Sequence, residues 1–197
     1  CIFFSKKDFF VSFFLKKMFI AIIGKMCSGK STLANKIIKY YKKKGIVIVK
    51  RSFSELVYKI ARDVFKMKQK NRKLLQQIGT KMREIDKNVF VNYIINDLSE
   101  NVIIDDCRYI NEFDALYKAK FILIKINLPK KIQEKRLIKT YPDTWKIHMN
   151  NINHSSETTI ENMDNKKITY TINYNYDFND ICIFLQKNLR KFIYLTK

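Results

Sequence analysis

Cysteine, glycine and proline are scarce in this chain: four, four and two residues among 197. The four cysteines, Cys1, Cys27, Cys107 and Cys182, show neither the paired spacing of a zinc site nor the density of a disulfide scaffold. Two histidines, His148 and His154, add too few ligands for a closed structural metal site. A reducing compartment, the cytoplasm, is therefore expected. Long apolar runs are also missing. No stretch reaches the roughly 18 uncharged apolar residues of a membrane span, so no membrane partner is expected. Acidic residues are short as well, with 18 Asp and Glu against 39 Lys and Arg, a net charge of +21. At 47% apolar and 14% aromatic residues the chain is too hydrophobic for a disordered polycation. Its length fits one compact domain, at roughly 100–200 residues per domain.

The basic excess invites a nucleic-acid reading, because clustered cations release counterions from a phosphate backbone. Lysine supplies 32 of the 39 cations, however, and the chain is also crowded with Asn, Ile, Tyr and Phe, as an AT-biased genome would produce. The charge is spread along the chain instead of forming one basic arm. It reads as compositional background, and no specific nucleic-acid partner is expected. Such a field still attracts polyanions, nucleotides included.

Residues 1–17 are expected to be an extension ahead of the domain. They lack the long apolar core and small-residue cleavage site of a signal peptide. Met18 at the head of the first strand suits a natural start; the alternative is an amphipathic extension that packs on a surface.

The main chemical signal begins at Met18. Met18–Ile23 is a continuous apolar run, as in a central parallel strand buried on both faces. It leads into Gly24, Lys25, Met26, Cys27, Ser28, Gly29, Lys30, Ser31 and Thr32, which is G-x-x-x-x-G-K-S, and then into a helical stretch, Leu33–Lys44, ended by Gly45. Strand, loop and helix are the context this motif requires. Its glycines let the backbone curl so that successive N–H groups face a phosphate, and the helix N-terminus adds positive potential. Lys30 is expected to reach the β- and γ-phosphates of ATP, and the Ser31 hydroxyl to ligate Mg²⁺.

A second strand, Ile46–Val49, brings Lys50, Arg51, Ser52 and Phe53 to the carboxyl edge of the sheet, where open α/β folds bind ligands. Ser52 and Glu55 form a capping box. Leu56, Val57, Ile60, Ala61, Val64 and Phe65 then make one apolar helical stripe. Leu74, Leu75, Ile78, Met82 and Ile85 mark a further helix. Gly79 within it costs about 1 kcal/mol relative to Ala, which points to a close approach or a break. Residues 101–108 form an apolar strand ending in Asp105, Asp106 and Arg108, the form of a second Mg²⁺-supporting strand. Another buried strand, Phe121–Ile126, precedes a basic helix in which Lys131, Lys135 and Arg136 could cover phosphates as a lid. Residues 140–167 read as a polar connection, Ile168–Tyr174 as the last strand, and 177–192 as the last helix. The expected fold class is α/β, a three-layer P-loop fold: a central, mostly parallel sheet of about five strands, helices on both faces and a small lid. A single domain, 18–193 with its lid at about 130–157, is expected.

Between Met18 and about Leu189 the chain resembles the phage and viral type of deoxynucleoside monophosphate kinase. The matching pieces are the loop at Gly24–Thr32, Arg51–Ser54 with Leu56, Ile60, Ala61, Arg62 and Asp63, and Leu75–Thr80 with Arg83. Asp106–Glu112, His154–Glu157, and Ile172 with Asn173 continue the series. One departure is Ile110, which stands where the family has proline. The resemblance implies ATP- and Mg²⁺-dependent phosphorylation of a (deoxy)nucleoside monophosphate. It implies contacts to the acceptor from Arg51, Ser52, Arg62, Arg83, Arg108 and Glu112. It also implies Mg²⁺ binding by Ser31 and Asp106, and catalytic roles for Lys30, Asp106, Arg108 and Arg136. A different small phosphorylated acceptor, phosphomevalonate, is the runner-up. Nucleotides are the expected partners, with a homodimer left open.

Overall fold

The computed structural model describes residues 17–150 and 159–194. The expected extension up to residue 16 and the resemblance at His154–Glu157 lie outside them.

Five strands form one all-parallel sheet in the order β2-β3-β1-β4-β5: β1 Phe19–Ile23, β2 Val49–Arg51, β3 Val102–Ile104, β4 Ile122–Asn127 and β5 Tyr170–Asn173. The three central strands are nearly unbroken runs of Ile, Val and Leu because the sheet is covered on both faces. Their register sorts those residues. Ala21 pairs with Ile104 and Leu123 and faces one core, while Ile20 pairs with Ile103 and Ile122 and faces the other. Ile20, Ile22 and Ile23 are fully buried, each worth about 1.5–3 kcal/mol relative to exposure.

One face is covered by α1 (Lys30–Lys42), through Leu33, Ala34, Ile37 and Tyr41, and by the C-terminal helix Phe178–Tyr194, through Ile181 and Leu185. The other is covered by α2 (Glu55–Asp63), α3 (Arg72–Ile85), α4 (Val89–Ile95) and α5 (Ile110–Lys118), through Val57, Ala61, Ile78, Phe90, Ile94, Phe113 and Leu116. After β4 come α6 (Lys130–Thr140) and α7 (Trp145–Asn150), and the C-terminal helix is α8. No helix of the described residues is long and apolar enough to cross a membrane. Chain order reverses beside β1, whose neighbours are β3 and β4, so the crevice of this sheet opens where β1 ends.

Three local expectations change. Strand β2 begins at Val49 and not at Ile46, because the Asn101 side chain takes over the pairing there. Its Nδ2 donates to the Val47 carbonyl (2.9 Å) and its Oδ1 accepts from the Met18 N–H (2.8 Å). Helix α2 stops at Asp63, which leaves Val64 and Phe65 exposed instead of continuing the stripe. Helices α4 and α5 add cover that the apolar periodicity did not mark. The Gly79 helix, by contrast, runs unbroken and shows the close approach: a Cβ there would stand 3.2 Å from Arg83 Nη1.

Candidate functional site

The loop after β1 curls back under its own helix. Cys27 (φ 60°) and Gly29 (φ 94°) take left-handed backbone, and such alternation turns neighbouring N–H groups into one concavity suited to an anion. Gly29 caps α1, whose first turn contains no acidic residue, so the positive end of the helix faces the concavity uncompensated. Lys30 lies back across the loop. Its Nζ donates to the carbonyls of Gly24 (2.6 Å) and Lys25 (2.8 Å), holding the ammonium at the anion's place. Ser31 and Thr32 stand at the helix start, and both are exposed. Lys25 also pairs with Glu161 (2.5 Å), and this hydrogen bond holds the exposed carboxylate below its usual range.

A cleft of about 570 Å³ rises from the loop. Tyr174 and Tyr176, just after β5, line it together with Arg136, Lys139, Tyr141 and Lys36. Lys131 and Lys135, expected to cover phosphates, lie on α6 and do not line this cleft. Arg136 does line it, but its guanidinium is engaged with backbone: Nη1 donates to the Cys27 and Ser28 carbonyls and Nη2 to that of Tyr174, each at 3.2 Å.

The second half of the site lies at the ends of β2 and β3. Here several of the expected site residues are held by protein partners. Asp106, expected on Mg²⁺, gives its carboxylate to the 52–54 turn: it accepts from Ser52 Oγ (2.5 Å), Phe53 N (3.1 Å) and Ser54 N (3.2 Å). Ser52, expected on the acceptor, is thereby a turn residue, and Glu55 completes half of the capping box by accepting from Ser52 N (3.2 Å). Arg51, expected to clamp the acceptor, is held by Glu55 (2.6 Å) and Asp97 (3.1 Å). The hydrogen bond to Glu55 is the main reason its pKa is raised further. Asp105 is the buried carboxylate closing β3, and its partner is Lys50 at 2.7 Å. Arg62 is exposed in the last turn of α2, and Arg108 is exposed beyond β3.

Glu112, expected to touch the acceptor, is only 2% exposed. Its Oε2 accepts from Arg108 N (2.8 Å) and Tyr109 N (3.1 Å), satisfying orphan donors at the start of α5. Arg83 approaches it at 3.7 Å, lies between the rings of Phe90 and Tyr109 (4.6 and 4.5 Å), and donates to the Gly79 carbonyl. The two halves lie side by side at one sheet edge, because β1 and β3 pair in parallel with Ala21 opposite Ile104; Cys107 follows Asp106 there. This thiol is buried and raised well above its usual range, chiefly by burial, with Glu112, Asp106 and Lys30 as the charges acting on it.

Burial pushes the Glu112 carboxyl up to about 7, against the two backbone N–H groups and Arg83, which lower it, while Asp106 adds to the rise. The folded state therefore keeps a proton that the unfolded chain releases from about pH 4.5 upward. Stability should fall between about pH 4.5 and 7 and level off above, by about 3 kcal/mol at most from this group. Thermal unfolding of the wild type and Glu112→Gln from pH 5 to 8 checks this. The wild type should lose several degrees more than the variant across that range, and parallel curves would remove the titration from Glu112.

For a metal, the residues offer the Ser31 hydroxyl and the carboxylates Asp105 and Asp106. Among the described residues there is no group of three or more His, Cys, Asp or Glu that could hold an ion. This donor set fits Mg²⁺ carried in by a nucleotide, because that ion takes phosphate oxygens and water with only one or two protein ligands. The cleft's tyrosines, Lys36, Gln133 and the Lys50–Asp105 pair escaped the reading of the sequence. A Tyr-x-Tyr directly after the last strand was the one signal available.

No protein-family model and no curated protein matches the sequence. Solved structures do match in shape. A gluconokinase from Sinorhizobium meliloti 1021 superposes with a TM-score of 0.51 at 10% identity, over 92% of this chain and 100% of that one. An uncharacterized protein from Eubacterium ventriosum ATCC 27560 gives 0.53 at 16%, over 89% and 99%. A shikimate kinase from Acinetobacter baumannii in complex with shikimate gives 0.51 at 14%, over 94% and 98%. At such identities the likeness speaks to architecture, and with the all-parallel five-stranded sheet it establishes that this chain has the α/β P-loop kinase fold.

Proposed function

We propose that the protein transfers the γ-phosphoryl group of ATP to the phosphate of a (deoxy)nucleoside monophosphate, giving ADP and the nucleoside diphosphate. The observation that carries this reading is the phosphate loop, with Lys30 laid across it, leaving β1 beside the acidic end of β3, since the two strands pair in parallel with Ala21 opposite Ile104; the Arg83–Glu112 pair follows at the start of α5. The aromatic wall of Tyr174 and Tyr176 suits a nucleobase, which stacks on such rings.

In this reaction an oxygen of the acceptor phosphate attacks the γ-phosphorus while the bond to the β–γ bridging oxygen breaks, and ADP leaves with the electron pair. The acceptor oxygen is already anionic at neutral pH, so no side chain has to remove a proton. Catalysis then rests on positioning and on neutralising the peripheral oxygens. Lys30 serves the transferred group, and the loop's N–H groups hold the donor phosphates. Arg108 and Arg83 serve the acceptor. Arg83 is kept in a fixed orientation by two rings and Glu112, which suits a planar fork better than an ammonium. Ser31, with Asp105 and Asp106, would hold Mg²⁺, which would supply neutralisation of phosphate charge.

A coupled ADP-release assay tests the reading, with dNMPs, NMPs, phosphomevalonate, gluconate and shikimate as acceptors. Turnover should appear on adding one or more monophosphates. Turnover with phosphomevalonate, gluconate or shikimate alone would refute the nucleotide acceptor while keeping the transferase. ATP consumption that ignores every acceptor would refute both.

A further inference from the structure

Helix α6 grips the phosphate loop through polar atoms at three consecutive peptides. Gln133 Nε2 donates to the Met26 carbonyl at 3.1 Å, and Arg136 Nη1 to the carbonyls of Cys27 and Ser28 at 3.2 Å each. In a planar trans peptide the N–H of the next residue points opposite to the carbonyl. Pulling these three carbonyls toward α6 therefore turns the N–H groups of Cys27, Ser28 and Gly29 away from it. That of Ser28 closes the turn onto the Lys25 carbonyl at 3.1 Å. Those of Cys27 and Gly29 belong to the two residues with left-handed backbone, where the anion concavity forms.

Gln133 shows that this contact serves more than packing. It is fully buried, yet among the described residues its Oε1 has no hydrogen-bond partner, and neither has Ser28 Oγ, 1% exposed in the same loop. An apolar side chain of similar size would hold helix and loop together without leaving a buried acceptor unpaired, which costs about 1–3 kcal/mol. What the amide provides and a methionine could not is a grip on the Met26 carbonyl. Arg136 extends the grip across the cleft, because Nη2 donates to the Tyr174 carbonyl and its guanidinium carbon lies 5.5 Å from that ring's centroid. One guanidinium thus joins the phosphate end of the cleft to its aromatic end. A planar fork can serve three carbonyls at once in this geometry, and a compact ammonium cannot.

We infer that Gln133 and Arg136 are positioning residues for the phosphoryl donor: they hold the loop's N–H groups and the aromatic wall in the orientation that binds a nucleoside polyphosphate, and Arg136 does not itself contact the transferred group. The inference rests on the kinase reading and refines it. Binding and turnover separate the two roles. In Arg136→Lys the Kd for ADP, by isothermal titration, should rise about tenfold and the KM for ATP with it. Turnover at saturating ATP should stay within about threefold of the wild type, since a brace contributes to binding more than to the transferred group. Gln133→Met, which preserves volume, should weaken ADP about fivefold with the KM for the acceptor unchanged. It decides the matter if Arg136→Lys fails to fold. A drop in kcat with ADP affinity unchanged would place Arg136 on the transferred phosphoryl group and overturn the inference. So would wild-type ADP affinity in both variants. A wild type that binds neither ADP nor tripolyphosphate overturns the kinase reading along with the brace.

Discussion

Replacing Lys30 with alanine is expected to lower kcat by about 10²–10³, the loss seen when one preorganised donor to a transition-state oxyanion is removed. The Lys30 ammonium is fixed before any ligand arrives, by the Gly24 and Lys25 carbonyls at 2.6 and 2.8 Å. In the proposed reaction, charge that spreads over the moving phosphoryl group would meet a cation that need not reorganise. Arginine should not rescue, since its planar fork cannot occupy the gap between two carbonyls of one turn as a compact ammonium does. The fold should survive: two carbonyls lose a charged donor while a half-buried charge is removed, and these effects offset, leaving Tm within about 3 °C. Steady-state kinetics with thermal melts on Lys30→Ala and Lys30→Arg check the prediction. Near-normal kcat in either variant would take Lys30 off the reacting group.

Asp106→Ala should be the most damaging single change to the acceptor half, and chiefly through stability. The carboxylate satisfies a hydroxyl and two consecutive backbone N–H groups of the 52–54 turn. Its removal orphans the buried Phe53 N–H, at about 1–3 kcal/mol, while Ser52 Oγ and Ser54 keep only their contacts with each other; the loss is about 3 kcal/mol overall, or about 6–12 °C in Tm for a chain of this size. Asp105→Ala should behave differently. Its partner Lys50 is 36% exposed and able to turn to solvent once released, which holds the cost within about 1 kcal/mol. Differential scanning calorimetry on the two alanine variants distinguishes adjacent carboxylates that the sequence presents as equals. Equal Tm losses would mean that the 52–54 turn does not depend on Asp106.

That contrast shows where legibility in the sequence stops. The phosphate loop is legible because it is contiguous: strand, turn and helix start occupy residues 19 to 42, and the shape follows from two residues with positive φ and one helix end. The buried strands are legible because both faces of the sheet demand apolar residues. Side-chain partnerships are another matter. Lys50 meets Asp105, Arg51 meets Asp97 and Ser52 meets Asp106 across 55, 46 and 54 residues, and no periodicity encodes which of two neighbouring acids takes which cation. Arg51 carried a partial signal, since Glu55 stands four residues on, at ion-pair spacing. Gln133 carried none; it is one of eight polar residues in an eleven-residue helix whose apolar residues are Ile132, Leu137 and Ile138.

The order of the sheet also sets a timetable. The first strand is flanked by β3 and β4, so the Met18 N–H must wait 83 residues for its Asn101 partner, and Gln133 reaches the Met26 carbonyl across 107. Parallel pairing at such separation is slow, because chain closure must precede the contacts that reward it. During synthesis the apolar Phe19–Ile23 segment therefore emerges long before anything can cover it, and is exposed to aggregation meanwhile. A nascent chain that has not yet released α6 has an unbraced phosphate loop. Under the proposed function, ATP would begin to stabilise the chain only after Arg136 has left the ribosome.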